Sequence, residues 1–257
     1  MNTKIEPRTF IIDGEVCNEA RAYDIFRKGV YRLADLPLRQ KVAAKLLDKS
    51  GAVGKLLDIG CYAGLFLNAL REVYPDLDLM GVDSYEDNID IAHLLYPHLI
   101  HNFRHESVYA LSFPDETFDF ITNLEVIEHI DRPVDAIREM NRVLKVGGHL
   151  ILSTPNGCSW TNIRSSLSIG YQSLFKRHPT KMHVRVFFDN VEWNRHLIEF
   201  LPASLHTLLS INGFELIEHR FVSAGQKQRV RDLFVPGLAE EQILLVRKIR
   251  NADARIV

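Results

Sequence analysis

From about residue 39 to residue 153 the chain alternates amphipathic helical stretches with short apolar runs, joined by only a few residues. A helix pattern over 39–49 leads into an apolar strand, Lys55–Ile59, and a turn holding Gly60 and Gly64. The helix that follows runs through Tyr74 and stops at Pro75, because proline cannot continue a helix. A second strand over Leu77–Val82 ends in Asp83, and a helix at about 86–95 precedes Pro97. Leu99–Phe103 is a third strand of poor alternation, and Phe118–Thr122 a fourth. Pro133 opens a helix to Leu144 that Gly147-Gly148 would terminate, and His149–Ser153 is a fifth strand. Parallel strands need crossover helices, so this alternation predicts an α/β fold with a mostly parallel sheet and helices on both faces.

Beyond that core the pattern changes. Residues 156–200 are rich in Ser, Asn, Arg and His with several aromatics, and are expected as an insertion after strand five that covers the acceptor site. A helix over 202–211 and strands Phe214–Phe221 and Gln242–Lys248 bring the sheet to seven strands, with a basic loop over Ser223–Pro236. The expected organisation is an N-terminal lid or extension (1–38), a ligand-binding core (39–155), the insertion (156–200) and the rest of the same domain (201–257).

Charge and cysteine content narrow the function classes. The 31 Lys+Arg against 33 Asp+Glu exclude a strongly basic nucleic-acid-coating protein. No apolar run approaches the ~18 residues of a membrane span. The opening MNTKIEPRTF has no apolar signal region. Cys17, Cys61 and Cys158 are far apart and odd in number, which predicts reduced thiols and a cytoplasmic location.

The strongest local signal is Leu56-Leu57-Asp58-Ile59-Gly60-Cys61-Tyr62-Ala63-Gly64. Gly60 would let a ligand approach the backbone with no Cβ in the way, and Gly64 would let a helix start close to the strand. Free N–H groups at a helix start suit a carboxylate. Asp83 lies where an acid can accept both hydroxyls of a ribose, about 20 residues on. A dinucleotide fingerprint needs G-x-G-x-x-G and fails here at Tyr62 and Leu65. Asp58 suits an ammonium group. Carboxylate, ammonium, ribose and adenine together describe S-adenosylmethionine.

The segment resembles motif I of the class I S-adenosylmethionine-dependent methyltransferases, D-x-G-x-G-x-G. Asp58, Gly60 and Gly64 match, and Tyr62 replaces the middle glycine, narrowing the space near the methionine moiety. Val82-Asp83 resembles motif II. The stretch from Leu111 to Asp119 is similar to L-P-F-P-D-x-S-F-D, and Arg142 to Gly148 to R-V-L-K-P-G-G. The resemblance covers about 54–155 and implies a Rossmann-like seven-stranded sheet. It implies a cofactor site of Asp58, Gly60, Cys61, Gly64, Asp83 and Ser84. The acid facing adenine falls at Glu106 or Ser107, and Asn123 should line the pocket.

After strand four comes Glu125-Val126-Ile127-Glu128-His129. Residues i, i+3 and i+4 share a face of a helical turn, so Glu125, Glu128 and His129 converge if the turn is helical. Two carboxylates and an imidazole suit Mg²⁺, Mn²⁺ or Fe²⁺. This E-x-x-E-H resembles ubiquinone-pathway O-methyltransferases and small-RNA 3′-terminal 2′-O-methyltransferases. The RNA enzymes hold Mg²⁺ there, and also carry S-T-P-N, as at Ser153 to Asn156, and a later histidine, for which His183 is the candidate. The alternative is ordinary packing at the helix entry.

Two mechanisms follow for a hydroxyl acceptor. His129, with Glu128, could act as general base. A metal on Glu125, Glu128, His129 and His183 could instead lower the hydroxyl's pKa, but a metal-bound histidine cannot also be that base. The excess of Lys and Arg in the insertion favours an anionic acceptor. The resulting expectation is in-line O-methylation of a small-molecule or glycan-like acceptor. The rivals are an RNA 2′-O-methyltransferase with a Mg-type site and a non-catalytic S-adenosylmethionine-binding module.

Overall fold

The computed structural model describes residues 33–164, 196–223 and 235–252, and the backbone of two further strands. Those strands, β1 (Thr9–Ile12) and β2 (Glu15–Asn18), pair antiparallel in a sheet of their own. They fall within the 1–38 stretch expected to stay outside the main sheet.

The main sheet is built from β3 (Gly54–Ile59), β4 (Leu77–Asp83), β5 (Phe103–His105), β6 (Phe118–Leu124), β7 (Leu144–Pro155), β8 (Phe214–Val222) and β9 (Glu241–Lys248). Their order across the sheet is β5-β4-β3-β6-β7-β9-β8. β5, β4, β3, β6 and β7 run parallel, while β9 pairs antiparallel with both its neighbours. α1 (Leu38–Lys49) leads into β3, and the chain crosses between parallel strands through α2 (Leu65–Val73), α3 (Glu86–Leu95), α4 (Pro133–Val143) and α5 (Pro202–Ile211).

Side chains alternate across a strand, so the two leucines of β3 part company. Leu56 packs with Leu47 of α1, Leu70 of α2 and Ala92 of α3 on one face. Leu57 packs with Ile137 and Met140 of α4 and Leu209 of α5 on the other. The central strands are buried on both faces, which accounts for their near-continuous apolar runs.

Two local expectations are corrected. The third strand begins at Phe103, where Leu99–Phe103 is expected, because Pro97–Asn102 folds as a 3-10 turn before it. Gly147-Gly148 does not end α4; the helix passes at Leu144 directly into β7. Leu144 pairs with Phe118 and His149 with Phe120, so the glycines sit in a bulge, with Gly147 at φ +84°. Most of 156–200 lies outside the described residues, but Asn156 and Phe200 are bridged. Among the described residues no helix is long and apolar enough to cross a membrane.

Candidate active site

A cleft of about 860 Å³ opens at the carboxyl ends of β3, β4 and β6, where the strand order turns away from β3 in both directions. Such switch points are where open α/β sheets take ligands. Of the residues singled out from sequence, Asp58, Gly60, Cys61, Asp83, Ser84, Glu106, Glu125 and His129 line it.

The turn after β3 is locked by its backbone. Gly60 and Cys61 N–H both donate to Val82 O at 2.8 and 3.0 Å, and Gly64 N–H to Cys61 O at 2.9 Å. Gly60 has φ +79°, and a Cβ there would come within 2.3 Å of Val126 Cγ2. The space on the Cβ side of that glycine is therefore filled by Val126, while Gly60 itself lines the cleft. Gly64, at φ +76°, precedes α2, and a Cβ there would meet the Phe103 ring at 2.5 Å. Its role is close packing of the helix start, and it does not line the cleft. Tyr62, in the place of the middle motif glycine, takes a left-handed φ of 50° with its side chain in the cleft. A non-glycine residue there carries about 1–2 kcal/mol of strain.

Two buried carboxylates face this turn. Asp83 Oδ2 accepts the Tyr62 N–H at 2.9 Å. Its Oδ1 accepts the Tyr85 N–H at 2.9 Å and the Asn88 Nδ2 at 3.0 Å. One acceptor position on Oδ2 stays open to a ligand. Asp58 receives Thr122 Oγ1 at 2.7 Å on Oδ1. Burial pushes its carboxyl up to about 7, opposed by the Thr122 hydrogen bond and assisted by the charge of Asp83. A buried acid on a cleft wall, with no cationic side chain among its described electrostatic partners, is suited to a ligand's ammonium group. The residues thus fit S-adenosylmethionine. Burial, then Asp58 and Asp83, push the Cys61 thiol well up and leave it unreactive.

Towards β5, Glu106 lines the cleft while its carboxylate accepts the Ser112 N–H at 3.0 Å. Ser107 does not line it; its Oγ accepts the Tyr109 N–H at 3.3 Å. The lining residue there is Val108, which sequence reasoning missed, as it missed Arg39, Tyr85 and Asn88. Asn123 is fully buried off the cleft, donating Nδ2 to Ile59 O at 3.2 Å and so tying β6 to β3.

The other end is less saturated. The E-x-x-E-H stretch does not form the expected α-helical turn, because Glu125 takes φ +59° and only Ile127–His129 form a 3-10 turn. Ser153 captures Glu125: its carbonyl accepts the Glu125 N–H at 3.0 Å, and its Oγ donates to Glu125 Oε1 at 2.9 Å. Glu128 is buried behind His129. Thr154 Oγ1 donates to its Oε2 at 3.0 Å, while Oε1 has no hydrogen bond and lies 3.8 Å from His129 Nε2. Burial and then the charge of Glu125 push the Glu128 carboxyl well up. The His129 ring stands edge-on to His196 at 4.9 Å, and burial and His129 lower the pKa of His196. From α1, Arg39 Nη1 donates to Glu241 Oε1 at 2.9 Å.

Among the described residues, Glu125 does not join Glu128 and His129 in the set expected for Mg²⁺. Among the described residues, the group whose ligand-type atoms lie within 4.8 Å of one another is Glu128, His129 and His196. Glu125 is turned to Ser153, and His183 lies outside the described residues.

Comparison with known proteins agrees with this geometry. Residues 25–219 match the methyltransferase-domain family Methyltransf_23. A ubiquinone biosynthesis O-methyltransferase of Roseobacter denitrificans is 29% identical over 65% of this chain and 62% of its own length. The chain thus spans less than two thirds of that curated relative. An S-adenosylmethionine-dependent methyltransferase of Thermotoga maritima, described as a possible histamine N-methyltransferase, superposes with a TM-score of 0.56 at 18% identity, over 89% of this chain and 99% of its own. The [4+2]-cyclase SpnF superposes at 0.52 and 22% identity, over 81% of this chain and 82% of its own. These two likenesses carry the fold alone. Motif order, sheet topology and the family match over most of the chain converge: the chain belongs to the methyltransferase-domain family, among the class I S-adenosylmethionine-dependent methyltransferases.

Proposed function

We propose that the chain transfers a methyl group to an oxygen of a small-molecule or glycan-like acceptor. The observation that carries this reading is that His129 lines the same cleft as Asp58 and Asp83. S-adenosylmethionine, when bound, supplies a methyl group already activated on a sulfonium. Asp83 accepts ribose hydroxyl hydrogen bonds through its open Oδ2 position, and Asp58 receives the ammonium. His129 takes the proton of the acceptor hydroxyl, with the buried Glu128 carboxyl 3.8 Å from its Nε2. Val126, Ile130 and Leu197 line the cleft and exclude water, so alignment of acceptor and methyl supplies most of the acceleration. No step is routed through a metal, since Glu125 is turned to Ser153 and away from Glu128 and His129 among the described residues.

The Lys and Arg residues between 164 and 195 favour an acceptor with negative charge. Free thiols at Cys61 and Cys158 suit the reducing cytoplasm. The test is transfer from methyl-labelled S-adenosylmethionine to a panel of phenols, catechols and sugar hydroxyls, beside amines and RNA. Labelled ethers that disappear in His129→Ala are the expected result. Label found only on nitrogen, or only on RNA, overturns the acceptor class, and no label on any acceptor despite cofactor binding overturns catalysis.

A further inference from the structure

Two loops meet across the mouth of the cleft. One follows β5 and presents Val108; the other follows β6 and presents Ile130. Both side chains belong to the apolar cluster that holds Ile59 and Val82 at the ends of β3 and β4. The residues just after them are fastened to each other. The Tyr109 hydroxyl donates to Asp131 Oδ1, and the Arg132 N–H donates back to the Tyr109 oxygen at 3.3 Å. The Arg132 guanidinium lies 4.2 Å from the centre of the Tyr109 ring, and its Nη1 also reaches Asp135 in the first turn of α4 at 3.2 Å. Hydrogen bond, backbone donor and cation–π contact thus bridge residues 22 and 23 positions apart in sequence.

The polar half of this clasp lies outside the core, since Asp131 and Arg132 are exposed, while the Tyr109 ring packs against the core's edge. Its position gives it a role. A ligand held by Asp58 at β3 and Asp83 at β4 extends next towards β5, where Val108 and Ile130 stand.

We propose that Tyr109, Asp131 and Arg132 are positioning residues that set the spacing of Val108 and Ile130 and so hold the purine of the cofactor. The inference rests on the cofactor reading above. The clasp adds affinity by keeping the slot at its bound width before the ligand arrives.

Calorimetry with S-adenosylhomocysteine and with 5′-methylthioadenosine, which lacks the amino-acid tail, tests it on wild type, Tyr109→Phe and Arg132→Gln. The expected result is a Kd raised roughly fivefold or more for both ligands in both variants, with thermal midpoints unchanged. The double variant should lose less than the product of the single losses. Kd values within twofold of wild type overturn the clasp while leaving the cofactor site standing, and so does a loss confined to S-adenosylhomocysteine. Failure of wild type to bind either ligand overturns the cofactor reading itself.

Discussion

The two ends of the cleft are built on opposite principles. At the β3–β4 end three donors fix Asp83, Thr122 holds one oxygen of Asp58, and the turn's own N–H groups close it. At the β6–β7 end Glu128 keeps an oxygen with no hydrogen bond, Glu125 sits in a left-handed backbone, and burial raises both carboxyls. A saturated site is rigid and recognises a fixed ligand. An unsatisfied one keeps groups free to accept a proton, and strain at such positions accompanies function. In the proposed function, this difference assigns recognition to one end and chemistry to the other.

Separate substitutions should therefore have separable effects. His129→Ala should lower kcat by ~10²–10⁴-fold with the Kd of S-adenosylhomocysteine unchanged, read by steady-state kinetics beside calorimetry. Should that turnover survive the loss of His129 but vanish in chelator, the base mechanism gives way to a metal. Asp83→Ala should weaken S-adenosylhomocysteine by about 100-fold, since it removes a charged acceptor and strands three donors. Equal affinity would remove the ribose assignment. Gly64→Ala should cost about 2–3 kcal/mol in chemical denaturation, from a left-handed backbone and a collision with the Phe103 ring.

The pH response sharpens the contrast further. Asp58 is raised to about 7 without ligand, and an ammonium binds only its ionised form. Affinity for S-adenosylhomocysteine should therefore approach its full value by about pH 8 and fall about tenfold from there to pH 6. Asp58→Asn should flatten that slope. The smallest effect is at Tyr62, where glycine relieves the left-handed strain but loosens the unfolded chain. Tyr62→Gly should stay within about 1 kcal/mol of wild-type stability.

The same division explains what could be read from sequence. The recognition end lies in one short stretch, Asp58 to Gly64, plus one strand terminus at Asp83. Its residue types alone declare a turn, a helix start and an acid. Even there the reason for Gly60 was hidden, because the atom filling its vacant space belongs to Val126, which is 66 residues on. The chemical end draws on α1, β6, β7, the residues before α5, and β9. Spacing predicts that Glu125 joins Glu128 and His129. The capture of its N–H by Ser153, 28 residues away, breaks that rule and no local pattern announces it. His196 and Arg39 carry no signal of their own either; they reach the site through the fold.

Strand β9 lies between β7 and β8 and runs against both. A nascent chain emerging from the ribosome has β7 and β8 in hand well before β9 is made. Until residue 248 clears the exit tunnel, β7 offers an open edge that any passing strand could occupy. The sheet is thus closed only once β9 is made, and variants shortened ahead of residue 241 should accumulate as aggregates.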